Sequence, residues 1–127
     1  MKVLLDTHFL VWLLLASPRL LDFPWLLRYV PWGVSPVSLL EIQLLEEIGR
    51  IEVDSRALEA RLAEDARFVV DEVPLLALIR AALDLGWTRD PFDRLLAAHS
   101  TTRRLPLCTT DGTLRKHHRL LVGELAS

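Results

Sequence analysis

Apolar residues in this chain come in short runs that end in polar clusters, alternating with stretches whose apolar positions recur every three to four residues. Lys2 to Asp6 is a β-compatible run that stops at a charged group, as a buried strand does when it opens onto a site. Thr7 to Ala16 predicts a helix bounded by Ser17-Pro18, a second helix covers Arg19 to Tyr29, and Trp32-Gly33-Val34-Ser35 reads as a second strand. Ser35-Pro36 predicts another helix start. Either Ser35 caps with Pro36 in the first position, or Ser38 caps with Glu41 closing an S-x-x-E box, and the helix runs to about Gly49. Ile51 to Val53 is a short extended link. Ser55 to Ala66 is a helix with Leu58, Leu62 and Ala66 at four-residue spacing, and Phe68 to Val73 is extended. Leu75 to Leu85 reads as a buried helix ending at Gly86. Asp90-Pro91 begins the next helix, with Asp90 as its cap, and that helix continues to about Arg103. Leu105 to Thr109 is a further strand, Thr110-Asp111-Gly112 a turn, and Thr113 to His118 a short helix. Leu120 to Ser127 is poor in the features of a final strand.

Strands separated by helices predict a parallel sheet with right-handed crossovers and helices on both faces, a three-layer α/β fold. At 127 residues, with no repeat, linker or low-complexity stretch, the chain is expected to form a single domain over residues 1–127. Ligand sites in such folds lie beyond the carboxyl ends of the strands, which is where Asp6 and Asp111 fall.

Four acids stand out: Asp6 after the first strand, Glu41 on the third helix, Asp93 in the first turn of a later helix and Asp111 after a late strand. Glu41 lies within the stripe Val37, Leu40, Leu44, Leu45 and Ile48, which the spacing places inward, whereas Glu46 and Glu47 lie off it. An inward carboxylate is costly unless paired or metal-bound. Asp93 and Asp111 each have a local explanation as well, the first in the helix dipole and the second in turn chemistry. Asp90 reads first as a cap and second as an edge member of the same group. Clustered carboxylates repel and raise one another's pKa unless a cation compensates. An all-oxygen set with no cysteine pair and no H-E-x-x-H points to Mg²⁺ or Mn²⁺ rather than zinc, and such a site suits phosphodiester hydrolysis.

Other polar residues carry weaker signals. Thr7, Ser35, Thr109 and Thr110 offer hydroxyls that also read as caps or turn residues. Arg94 could pair with an acid or a phosphate, with exposed surface as the alternative. His8 could touch substrate or start a helix, and His117 and His118 read as a solvated tail. Trp12, Trp25, Trp32 and Trp87 read as core or interface. The net charge of −2 provides no global field for nucleic acid, so any such ligand would be held locally. Cys108 is the single cysteine, which excludes an intrachain disulfide and fits a reducing, cytoplasmic setting. Asp6 and His8 interrupt the N-terminal apolar run, so it reads as strand plus helix rather than a signal peptide or a membrane span. A mean hydropathy of +0.28 implies apolar surface left for association, and Leu39 and Ile42, off the main stripe of their helix, are candidates for it or equally for the core.

Taken in order, Asp6-Thr7-His8 with Leu10 and Trp12, the Glu41 helix after Ser35-Pro36-Val37-Ser38, the Asp90-Pro91-Phe92-Asp93-Arg94-Leu95-Leu96-Ala97-Ala98 segment and Leu107-Cys108-Thr109-Thr110-Asp111 resemble PIN domains of the VapC-like toxin subgroup. The resemblance covers nearly the whole chain. It implies an Mg²⁺- or Mn²⁺-dependent endoribonuclease that forms homodimers and is neutralised by a small antitoxin. By the family pattern Asp6, Glu41, Asp93 and Asp111 form the acidic quartet, with Asp90 adjacent and Thr109 as the hydroxyl before the last acid. A degenerate PIN domain that binds a partner without cutting is an alternative. A phospho-receiver domain is a weaker one, because it would need paired acids after the first strand and a suitably placed lysine, where here Asp6 stands alone.

Overall fold

The structure is a computed structural model and describes residues 1–126. Four short parallel strands, β1 (Val3–Leu5), β2 (Trp32–Val34), β3 (Phe68–Val70) and β4 (Leu107–Cys108), form one sheet in the order β3-β2-β1-β4. The register pairs Val3 with Trp32, Trp32 with Phe68 and Leu5 with Cys108, so the strand ends line up as one rim. Helices α1 (Thr7–Leu14), α2 (Pro36–Glu47), α3 (Leu58–Ala63), α4 (Leu75–Leu83), α5 (Pro91–Arg103) and α6 (Gly112–His117) surround it. This is the three-layer α/β arrangement expected from the alternation of strand and helix signals.

The two-residue period of β1 divides the core. Val3 and Leu5 pack with Phe9, Leu10, Val34, Ile42 and Leu58 on one face, while Leu4 packs with Ala97, Leu107 and Leu114 on the other. All three strand residues are essentially without solvent contact, and burial of each such side chain contributes about 1.5–3 kcal/mol. Gly33 permits the close approach of β2 to β1, since a Cβ there would lie 2.9 Å from the Val3 carbonyl oxygen and 3.3 Å from Met1 Sδ.

Several expected elements take a different form. Arg19 to Tyr29 is not an α-helix but two 3₁₀ segments, Pro18–Asp22 and Pro24–Tyr29. Pro24 lacks the N–H that a continuous helix needs and disfavours helical geometry at Phe23, which sits at φ −129°. The Ser55 helix starts as a 3₁₀ turn and becomes α-helical only over Leu58–Ala63, leaving Ala66 exposed outside it. The buried line of α2 runs through Ser38 and Ile42, whereas Leu40, Leu44 and Ile48 of the expected inward stripe are 57%, 40% and 66% exposed. Ile42 is therefore core and Leu39 packs against it, the second of the two places the sequence allows them. Likewise α4 buries only Leu78 and Ala82, and presents Leu75, Leu76, Ile79 and Leu83 to solvent.

Among the described residues the tail makes no strand beyond a single parallel bridge from Leu121 to Leu107. Val122 and Leu125 still tuck into the core, and Glu124 accepts a hydrogen bond from the Tyr29 hydroxyl. His118 is not part of a solvated tail: it is buried, with Nε2 at 2.8 Å from Ser100 Oγ, which ties α6 to α5. Replacing Gly33 with alanine is expected to lower stability by about 1–3 kcal/mol, because the added methyl meets backbone rather than a yielding side chain. Urea unfolding midpoints of wild type and G33A measure this; equal midpoints would show that β2 can move away from β1 at no cost.

Candidate active site

Asp6 follows β1 directly and caps α1, its Oδ1 accepting from Phe9 N at 2.9 Å. Asp111 does the same for α6 after β4, accepting from Leu114 N at 2.9 Å, and its own N–H reaches Thr109 Oγ1 at 3.0 Å. Asp90 caps α5 through Phe92 N and Asp93 N, which places Asp93 in that helix's first turn. Each acid is thus set by a strand end or helix start. The N–H groups there favour the ionised carboxylate, and a cap of this kind is worth about 1 kcal/mol.

Glu41 reaches the same rim from α2. Ser35 caps that helix through Val37 N at 3.2 Å with Pro36 in the first position, the first of the two starts the sequence allows. The Thr7 and Ser38 hydroxyls share a hydrogen bond of 2.9 Å that ties α2 to the start of α1.

The four acids and Asp90 act on one another through their charges. Desolvation raises Asp93 to about 7, and the nearby charges of Asp90, Asp111, Glu41 and Asp6 push it the same way. Asp6 is raised to about 6, chiefly by burial and also by Glu41, against the Phe9 and Thr109 hydrogen bonds and the charge of His8. Glu41 is raised by burial and by Asp90, while a hydrogen bond from Thr7 and the charge of His8 oppose the shift. A cluster of this sign attracts cations, and all its candidate donors are carboxylate or hydroxyl oxygens, which match Mg²⁺ or Mn²⁺ in chemistry. No three His, Cys, Asp or Glu side chains among the described residues lie close enough to cage an ion.

The weaker candidates separate. Thr7 and Thr109 are buried and belong to the site through the bonds just described. Arg94 turns away from phosphate-binding duty: its guanidinium donates to Ala82 O at 3.0 Å and Leu83 O at 3.3 Å, closing the C-terminal end of α4. Ser35 is fully buried and faces His99 rather than the acids.

A second polar group was not anticipated. His99 joins Ser35 Oγ at 2.8 Å through Nδ1 and Asp71 Oδ2 at 2.9 Å through Nε2, and Arg103 forks onto both Asp71 oxygens at 2.9 Å. Burial alone would raise Asp71, but the bonds from His99 and Arg103 outweigh it and hold the carboxyl below its usual value; desolvation lowers His99. The sequence did carry a signal, since Asp71 ends the β3 run as Asp6 ends β1, and His99 stands one turn after the inward-facing Leu95 and Leu96.

A PIN domain family model matches residues 3–120 of the chain. No curated protein and no solved structure matches it. PIN domains are generally nucleases that typically use divalent metals, and no helix among the described residues is long and apolar enough to cross a membrane.

A folded Asp with a raised pKa holds its proton while the unfolded chain has released it, so it costs stability increasingly as pH rises between the two values. In metal-free buffer D93N is therefore expected to melt higher than wild type by roughly 2–5 °C near pH 8. The gain should shrink toward zero near pH 4, where Asp93 is protonated in the native protein. Thermal melts in EDTA across this range measure the effect, and a gain independent of pH would rule out charge repulsion as its source.

Proposed function

The chain belongs to the PIN-domain family, and from that premise we propose that it is a single-domain, metal-dependent endoribonuclease, the toxin of a toxin-antitoxin pair. The observation that supports this reading is a group of acids at strand ends and helix starts, among which Asp93 is raised to about 7, chiefly by desolvation and then by the charges of Asp90, Asp111, Glu41 and Asp6. A protein gains nothing in stability from such crowding, so the arrangement is best understood as a site for a cation and for the phosphate that accompanies it. RNA as the substrate, and the toxin role, follow from the resemblance of the Asp90 to Ala98 and Asp6 to Trp12 segments to VapC-like toxins.

In this reading Asp6, Glu41, Asp93 and Asp111 hold Mg²⁺ or Mn²⁺. Bound there, the ion supplies a water of lowered pKa and offsets charge on the phosphate. Asp6 and Asp111 keep their oxygens aimed because each is anchored by a helix N–H. Thr109 links the two, bonding the Asp6 carboxylate and accepting from Asp111 N. Asp90 holds the α5 start from the edge, and Thr7 orients Glu41. An uncompensated acidic rim repels an RNA backbone, so substrate binding and cation binding are coupled. A reducing cytoplasm suits the buried Cys108 thiol.

Two exposed apolar faces support association with partners. Exposed Leu40 and Leu75 line a cavity of about 620 Å³ between α2, α4 and α5, and exposed Leu27 lines a second of about 360 Å³ near the 3₁₀ segments. Faces of this kind fit a second copy of the chain and an antitoxin helix.

Purified protein is expected to cleave single-stranded or loop RNA with Mg²⁺ or Mn²⁺ and not in excess EDTA. D6N keeps the α1 cap, since asparagine also caps, and is expected to lower the cleavage rate by about 100-fold or more with an unchanged circular-dichroism spectrum. Cutting that survives EDTA or D6N would end the metal-nuclease reading.

A further inference from the structure

His99 bonds to none of the four acids, yet among the described residues it makes the one side-chain hydrogen bond that joins the helices carrying two of them. Ser35 ends β2 and caps α2, the helix of Glu41; His99 lies on α5, the helix of Asp93. Asp71 leaves the end of β3 and is gripped by His99 and Arg103, one turn apart on α5. Ser35 and His99 have no solvent contact and Asp71 is 5% exposed, so these groups meet their hydrogen-bonding needs within the protein.

The proton arrangement follows from the partners. Asp71 is ionised between two donors, so His99 Nε2 carries the hydrogen that reaches it. Nδ1 of the neutral ring is then an acceptor, and the Ser35 hydroxyl must donate to it while accepting from Val37 N. Each group has a single orientation open to it, and a network satisfied in this way is stiff. It sets the first turn of α2 against α5, and the Thr7–Ser38 pair sets the next part of α2 against β1 and α1.

We infer that His99, locked by Asp71 and Arg103, is a positioning residue that fixes the Glu41 helix relative to the Asp93 helix and thereby the fit of the acidic rim to a divalent cation. The inference rests on the nuclease reading above. A His99 that only filled space would tolerate leucine best, because leucine is apolar and of comparable bulk. A positioning His99 prefers glutamine, whose amide oxygen can accept from Ser35 while its nitrogen donates to Asp71.

The test is Mn²⁺ binding to the full chain, followed by titration calorimetry and by the electron paramagnetic resonance signal of free Mn²⁺, well below each variant's melting temperature. H99Q should bind within about threefold of wild type, whereas H99L should bind about tenfold more weakly or worse, the usual cost of removing support behind a metal site. H99L that folds and binds Mn²⁺ like wild type would overturn the inference, as would H99Q binding no better than H99L. If H99L does not fold, R103M serves instead. Arg103 is 45% exposed, so the fold should survive its loss; weakened Mn²⁺ binding supports the inference and unchanged binding overturns it. D6N separates the two ideas. Wild-type binding that D6N abolishes and H99L leaves intact defeats the positioning role alone, while wild type and D6N binding equally poorly defeats the metal reading and the inference with it.

Discussion

Like charges crowded at one rim of a short sheet are the constraint around which this molecule is arranged. Five acids from four separate stretches of chain act on one another there, and the least solvated of them, Asp6, has essentially no contact with water. Such a cluster costs free energy in the folded state, and the surrounding structure must supply it. The strands that do so are only two or three residues long, but every residue of β1, β2 and β4 is buried. Parallel pairing, with one face against α1 and α3 and the other against α5 and α6, leaves little freedom at the strand ends.

Dual use of the acids lowers the cost. Asp6, Asp90 and Asp111 all begin helices, and N–H groups that each helix leaves unpaired are satisfied by a carboxylate of the acidic rim. The same bonds that fold the chain locally therefore hold the charged form of the group and fix its direction. Glu41 and Asp93 lack this anchorage. They depend instead on the placement of α2 and α5 as whole helices, and that is where the Ser35, His99, Asp71 and Arg103 group acts.

The local signals were the readable ones. Strand ends, the caps at Ser35 and Asp90 and the alternation of strand with helix gave the layers and the parallel sheet, and the acids singled out from the sequence do share one electrostatic neighbourhood. What hydrophobic spacing missed were polar groups buried by pairing and apolar groups left outside. Ser38 carries no hydrophobic signal, yet it lies on the buried line of α2, so the line was drawn through Leu40, Leu44 and Ile48, which face solvent. The burial of His118 and His99 is hard to read for the same reason, because the partners that make it tolerable, Ser100, Asp71 and Ser35, are distant in sequence. Pro24, which lacks an N–H and interrupts a helix, lies in the Arg19 to Tyr29 stretch that apolar richness alone makes look helical.

The two polar groups respond to acidity in opposite directions, and their combination shapes when the site can work. Asp6 and Asp93, raised to about 6 and about 7, favour the folded state at low pH and burden it as they ionise. His99 and Asp71 are both lowered, so their contribution is present near neutral pH and fades as the unfolded chain takes up protons, below about pH 6.5 for histidine and about pH 4 for aspartate. Between these limits the metal-free protein trades one loss for the other. A divalent cation held at the rim as proposed would remove only the acidic burden, because it would neutralise the rim and leave the buried His99 group untouched. Binding would then shift the most stable condition toward neutral pH, where the carboxylates are ionised and the helices that carry Glu41 and Asp93 are most firmly held.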